Sequence, residues 1–145
     1  MKLFLPTDPD FEARIRTSFV SQGMLPTLGA QIELIRAGEV HVTMPYDARF
    51  TQQDGFLHAG TVTTLMDSAC GYAAYSLMPA ASRVLSVEFK VNLLAPARGP
   101  RFRAEGHVIK RGRTLTVCEG KLFSIEKEET LCAIMQATMI CIRDE

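Results

Sequence analysis

The stretch Ala59-Gly60-Thr61-Val62-Thr63-Thr64-Leu65-Met66-Asp67-Ser68-Ala69-Cys70-Gly71-Tyr72-Ala73-Ala74-Tyr75-Ser76 decides the fold. Val62, Met66, Ala69 and Ala73 recur at helical spacing on one stripe, with Leu65, Cys70 and Ala74 beside it. The spacing predicts a helix from Ala59 to about Ser76, roughly 27 Å long at about 1.5 Å per residue. So little of its surface is polar that other elements must wrap it.

What lies on either side supplies the wrapping. Beyond Pro79, Leu85, Val87, Phe89, Val91 and Leu93 alternate with Ser86, Glu88, Lys90 and Asn92, the period of a strand. Further strands are expected over Phe102–Lys110, Thr114–Ile125 and Leu131–Ile142, separated by turns at Arg111-Gly112-Arg113 and at residues 126–129. Upstream, Leu28–Ile35 and Val40–Met44 read as a hairpin around Arg36-Ala37-Gly38-Glu39. Thr7-Asp8-Pro9-Asp10 is a helix-start signal, and Phe11, Ile15 and Phe19 mark a short amphipathic helix ending near Gln22-Gly23. The order is helix, two strands, buried helix, four strands. That is an α+β fold, an antiparallel sheet curled around one long apolar helix. A single domain over residues 1–145 is expected, with residues 1–27 as N-terminal helix and loop.

Composition excludes several classes. Sixteen basic residues balance sixteen acidic ones, whereas a nucleic-acid binder relies on excess positive charge. No run of about 18 apolar residues is present. The start, MKLFLPTDPDFEAR, turns acidic too early for a signal peptide. No membrane partner is expected, and the cytoplasm is the expected compartment. Cys70, Cys118, Cys132 and Cys141 sit singly among apolar neighbours and read as free buried thiols. His41, His58 and His107 show no metal-ligand spacing with a cysteine or carboxylate, so neither a metal nor another cofactor is expected.

Asp67 is the acid of the apolar helix, and an ionised carboxylate there needs a partner. It either faces a crevice and bonds a neighbouring strand, or it is a catalytic carboxylate. The loop Gln52-Gln53-Asp54-Gly55-Phe56-Leu57-His58-Ala59-Gly60 feeds the helix N-terminus, whose first amides lack intrahelical acceptors. Ala59 and Gly60 permit close approach, which suits a polarised carbonyl oxygen. Gly60 alone fits simple helix-start geometry, and His58 fits a helix cap equally well.

Together, Gln52-x-x-Gly55-x-x-His58-Ala59-Gly60-x₆-Asp67-x-Ala69 resembles the N/Q-x-x-G-x-x-H-G-G-x₆-D-x-A pattern of hotdog-fold acyl-CoA thioesterases. The likeness is greatest to the phenylacetate-pathway (PaaI-type) branch. Val91-Asn92-Leu93-Leu94-Ala95-Pro96-Ala97 and Lys110-Arg111-Gly112-Arg113 resemble that branch's strand end and basic turn. The resemblance implies Asp67 as general base or nucleophile and the Ala59 amide as oxyanion donor. It implies Gln52 as the amide side chain orienting thioester or water, His58 as a pocket residue and, with Gly60 beside them, Ser86 as a water-positioning hydroxyl. The sequence departs from the pattern at Ala59, where Gly is usual, and at Gly99-Pro100, where Gly-Asp is frequent.

A thioester carbonyl is reactive enough for one carboxylate, one water and oxyanion donors to hydrolyse it. The span from Arg83 to Arg113 holds eight of the sixteen cations against only Glu88 and Glu105. Arg83, Lys90, Lys110, Arg111, Gly112 and Arg113 are therefore candidates for holding coenzyme A phosphates, the alternative being solvated edge charges. Two rival readings stand: a non-catalytic acyl-CoA sensor, and an enoyl-CoA hydratase or dehydratase on the same fold. His58 and Asp67 lie about 13 Å apart along the helix axis, which disfavours the latter within one chain. Ala59 and Asp67 lie roughly 12 Å apart by the same measure, so one subunit does not easily supply both to one carbonyl. A homodimer with shared sites is expected, and the resemblance adds a dimer of dimers, a homotetramer.

Overall fold

The computed structural model describes residues 3–143; the outermost four residues of the expected 1–145 domain lie outside that range. Helix α1 spans Phe11–Ser21 and is followed by a one-turn α2, Met24–Thr27. Strands β1 (Gln31–Arg36) and β2 (Glu39–Pro45) form the hairpin. The apolar helix is α3, Ala59–Tyr75, and β3 (Ser82–Leu93), β4 (Arg101–Arg111), β5 (Leu115–Ile125) and β6 (Glu129–Arg143) complete the chain. All six strands form one antiparallel sheet in the order β1-β2-β4-β5-β6-β3.

The inner face of the sheet closes on α3. Val40, Val42 and Met44 of β2, Phe102 and Ala104 of β4, Leu122 of β5 and Met139 of β6 are fully buried with Leu65, Met66 and Ala69. The helix packs tightly over Gly106 on β4. A β-carbon added there would stand 2.3 Å from the Ala69 carbonyl carbon and oxygen, so only glycine fits this contact. At the other end, Asp8 accepts from the Asp10 amide at 2.9 Å and from Arg14 Nε at 2.8 Å. Arg14 in turn donates to the Met78 carbonyl at 2.9 Å and lies 4.0 Å from the centre of the Tyr75 ring. This ties α1 to the chain leaving α3.

Three details differ from the sequence reading. Leu28 ends the α2 turn, and Gly29 (φ 67°) redirects the backbone, so β1 starts at Gln31 rather than Leu28. A bulge between Ser86 and Glu88 shifts the β3–β6 register. Ser86 pairs with Met139 and Phe89 with Ala137, so Ser86 shares the helix-facing side with Phe89, Val91 and Leu93, while Leu85 turns outward opposite Ile140. The strict alternation read across this strand is thereby corrected.

The third difference is on the outer face of β2 and β4. His41 lies 2.9 Å from Glu39, and His107 lies 3.6 Å from Glu105. Each histidine thus has a carboxylate two residues away on its own strand and the same face, a proximity that the reading of metal-ligand spacing did not single out. Among the described residues, no helix is long and apolar enough to cross a membrane.

Candidate active site

The loop before α3 is built by its own side chains. Gln52 Oε1 accepts from the Phe56 amide at 3.3 Å, and the Gln52 and Gly55 amides close the turn at 2.9 and 3.1 Å. The Leu57 amide donates to the Ala97 carbonyl at 2.9 Å, and that of His58 to Phe50 at 3.0 Å. The loop therefore delivers the helix start to a fixed place. His58 is the N-cap, its Nδ1 accepting from the Gly60 amide at 2.8 Å. Of the two readings of His58 the cap is realised, and Gly60's N–H is occupied by it. Accepting at Nδ1 places the proton of the neutral ring on Nε2. The Ala59 amide is the first of α3, where no intrahelical acceptor exists.

Gln52 and Ala59 line a recess of about 370 Å³ together with Val62, Leu93, Pro96 and Cys132. Asp67 opens elsewhere. It is half-buried midway along α3, in a depression of about 190 Å³ shared with Ser18, Gln22, Tyr72 and Ser86. Ser86 Oγ donates to Asp67 Oδ1 at 2.6 Å and also lies 3.4 Å from Met139 Sδ. The two recesses share no lining residue. Within one chain the structure brings Asp67 to Ser86, and Gln52 to Ala59, but not one pair to the other.

Sequence reasoning missed three polar residues that share the Asp67 depression, Ser18, Gln22 and Tyr72. Gln22 Nε2 donates to Tyr72 Oη at 2.6 Å, and Ser18 Oγ lies 3.2 Å from the same oxygen. Tyr72 follows Asp67 by five residues on α3, a visible signal, whereas Gln22 reaches the site only through the docking of α1.

The basic candidates divide. Arg111, Gly112 and Arg113 line one depression beyond the C-terminal end of α3, with Arg143 of β6 as a fourth, unforeseen member. Arg111 is tied to the N-terminal segment through Thr7 Oγ1 and the Leu5 carbonyl. Arg83 stands on β3 beside Ser82, the residue paired with Arg143. Lys110 is exposed just past a β4 bulge. Lys90 lies further along β3, roughly 23 Å from Arg83 at about 3.3 Å per residue, so it stands apart from the cluster.

The cationic surplus is smaller in space than along the chain. Arg101 is held by Glu33 at 2.7 Å, and Arg103 by Glu105 at 2.9 Å and Glu129 at 2.7 Å. Hydrogen bonding to Arg103 lowers the Glu129 pKa, and the same contact with Glu129 raises that of Arg103.

Comparison with known proteins identifies the family and the fold. The description "Thioesterase superfamily" matches residues 54–131, the segment from the loop before α3 to the start of β6. A thioesterase family protein of Silicibacter pomeroyi has a crystal structure 48% identical to the chain, with a TM-score of 0.91, covering 92% of this chain and 99% of that one. The 1,4-dihydroxy-2-naphthoyl-CoA hydrolase of Escherichia coli is 28% identical over 117 residues, 81% of this chain and 85% of that protein. The E. coli PaaI protein of the phenylacetic acid degradation operon shares the fold, at 18% identity and a TM-score of 0.82, over 94% of each chain. The wrapped helix and most of the loop that feeds it lie within the matched segment, and the chain belongs to the thioesterase superfamily, as a thioester hydrolase.

Proposed function

We propose that the protein hydrolyses acyl-CoA thioesters to free acid and coenzyme A, with Asp67 as the base. The observation that carries this reading is the Ser86–Asp67 hydrogen bond of 2.6 Å in a solvent-reached depression on a largely apolar helix. A carboxylate held by one donor keeps free lone pairs with which to take a proton from water. Water then adds to the carbonyl carbon, the oxyanion is held by the Ala59 amide, and the C–S bond breaks as the thiolate leaves and is protonated. Gln52 orients the thioester at the mouth of the same recess. Ser86 aims the carboxylate, and His58 fixes the helix start while offering Nε2–H to the pocket. Arg111, Arg113 and Arg143, with Arg83 adjacent, are suited to the phosphates of coenzyme A.

Because Asp67 and Ala59 open into different recesses, the complete site needs a second copy. Antiparallel α3 helices about a twofold axis would set each helix start beside the middle of its partner. Support comes from β3, an edge strand with no partner on its outer side among the described residues. Leu85, Val87, Phe89 and Leu93 along it are 58%, 53%, 43% and 56% exposed, an edge that a monomer would leave open to association. The homodimer covers it, and the homotetramer and cytoplasmic location remain parts of the same proposal.

Two arms test the reaction. Thiol release is followed from phenylacetyl, hydroxybenzoyl and short to medium aliphatic CoA esters, with wild type and Asp67→Asn. Release by wild type, reduced at least about a hundredfold by the substitution, supports hydrolysis with Asp67 as base. Binding without release would make the protein a sensor, and hydration of an enoyl ester without release would make it a hydratase.

A further inference from the structure

We propose that Glu39, His41 and His107, on the outer face of the sheet, form a binding site for a divalent first-row transition cation of the zinc class. Glu39 and His41 are two apart on β2 and so point the same way, and His107 on β4 stands directly opposite Glu39. One donor atom from each of the three lies within 4.8 Å of the others. Glu39 Oε1 and His41 Nε2 are 2.9 Å apart, close to the roughly 2.9–3.4 Å expected between adjacent ligands around a cation with bonds of about 2.1 Å.

His41 Nε2 is the observation that points to a ligand. It is buried and, although Glu39 Oε1 lies 2.9 Å away, makes no hydrogen bond among the described residues. A buried ring nitrogen without a partner is costly, and a cation removes that cost. The His107 ring meets the His41 ring edge-on, with centroids 5.8 Å apart and planes at 69°, so both imidazoles border one small volume. Arg36 lies 3.6 Å from Glu39 Oε2, which leaves Oε1 for the site. Glu105 lies 3.6 Å from His107 but is also held by Arg103 at 2.8 Å, so it serves as an outer acceptor for the imidazole.

Two nitrogens and one carboxylate oxygen suit zinc, cobalt or nickel, whereas calcium and magnesium prefer all-oxygen sets. The face is partly open, with the His107 side chain 35% exposed, so water completes the coordination. The site lies on the sheet face opposite α3, apart from Asp67 and Ala59, and would clip β2 to β4. Linear spacing concealed it, because His107 comes from a strand far along the chain.

The test uses the full chain, stripped with a chelator and titrated with zinc chloride by calorimetry and with cobalt chloride by visible absorption. One cation per chain is expected, together with a saturable rise in melting temperature. His41→Gln and His107→Gln should each weaken binding at least tenfold, while His58→Gln leaves it unchanged. Wild-type binding no tighter than that of the double variant His41→Gln/His107→Gln would overturn the proposal. So would loss of binding on His58→Gln, which would put the cation at the start of α3.

Discussion

The role proposed for Ala59 belongs to its backbone N–H rather than its side chain, so an ordinary truncation cannot test it. Proline can. Ala59 is the first residue of α3, where proline is well tolerated, and His58 before it has φ −59° and ψ 141°, a conformation proline accepts in its predecessor. Ala59→Pro should therefore keep the fold and delete the donor, lowering kcat by about 10²–10³, as read by thiol release alongside a melting curve. Unchanged kcat would free the Ala59 amide of that role. The cysteines give a second residue-scale expectation. Burial pushes the Cys118 thiol from 9.0 up to about 12 and raises Cys70 in the same direction. A raised thiol pKa favours the protonated native state, so the stability it contributes is intact below about pH 9 and is lost as pH climbs toward 12. With an aromatic disulfide reagent at pH 8, the native chain should show prompt reaction only at the partly exposed Cys141. Rapid titration of several thiols without denaturant would contradict the burial. Much of the residue scale was legible in the sequence: the apolar surroundings of the cysteines, the isolation of Asp67 and the special place of the loop before it. The choice between cap and pocket for His58 was not, since it depends on which way one ring turns.

The elements explain where local reading succeeds and fails. Helix α3 declared itself because its period and small residues are local properties. Strand β3 misled, because one extra residue at Val87 changes the facing of everything after it, and only the pairing with β6 reveals that. Because of this bulge Ser86, which bonds Asp67, shares its face with Phe89, Val91 and Leu93. The close contact of α3 with β4 leads to a firm expectation for Gly106→Ala. Its added carbon would meet rigid backbone at 2.3 Å, so the loss of stability should reach the upper end of the about 1–3 kcal/mol usual for overpacking. A denaturation midpoint like that of wild type would show that α3 can move away freely. Arg14→Ala should cost about 3 kcal/mol by leaving Asp8 buried without its partner, both side chains being mostly enclosed (15% and 7% exposed). Because this pair anchors α1, and α1 carries Ser18 and Gln22 to the Asp67 depression, turnover should fall as well.

At the scale of the whole molecule, the sheet order β1-β2-β4-β5-β6-β3 leaves β3 at one edge. No local pattern announces that order, and so the exposed edge, the cross-strand Glu39–His41–His107 cluster and the pairing of Arg101 and Arg103 with carboxylates were all invisible along the chain. What the sequence did contain was the eight-residue gap between Ala59 and Asp67 on one rigid helix, which already separates the proposed base from the proposed oxyanion donor. The structure places them in two recesses with no residue in common. The most direct measurement is complementation between Asp67→Asn and Ala59→Pro chains, each nearly inactive alone. After co-refolding in equal amounts, half the dimers are mixed and carry one intact site of two, so about a quarter of wild-type thiol release should return. Mixed dimers confirmed by mass yet as inactive as their parents would contradict a site shared between two chains.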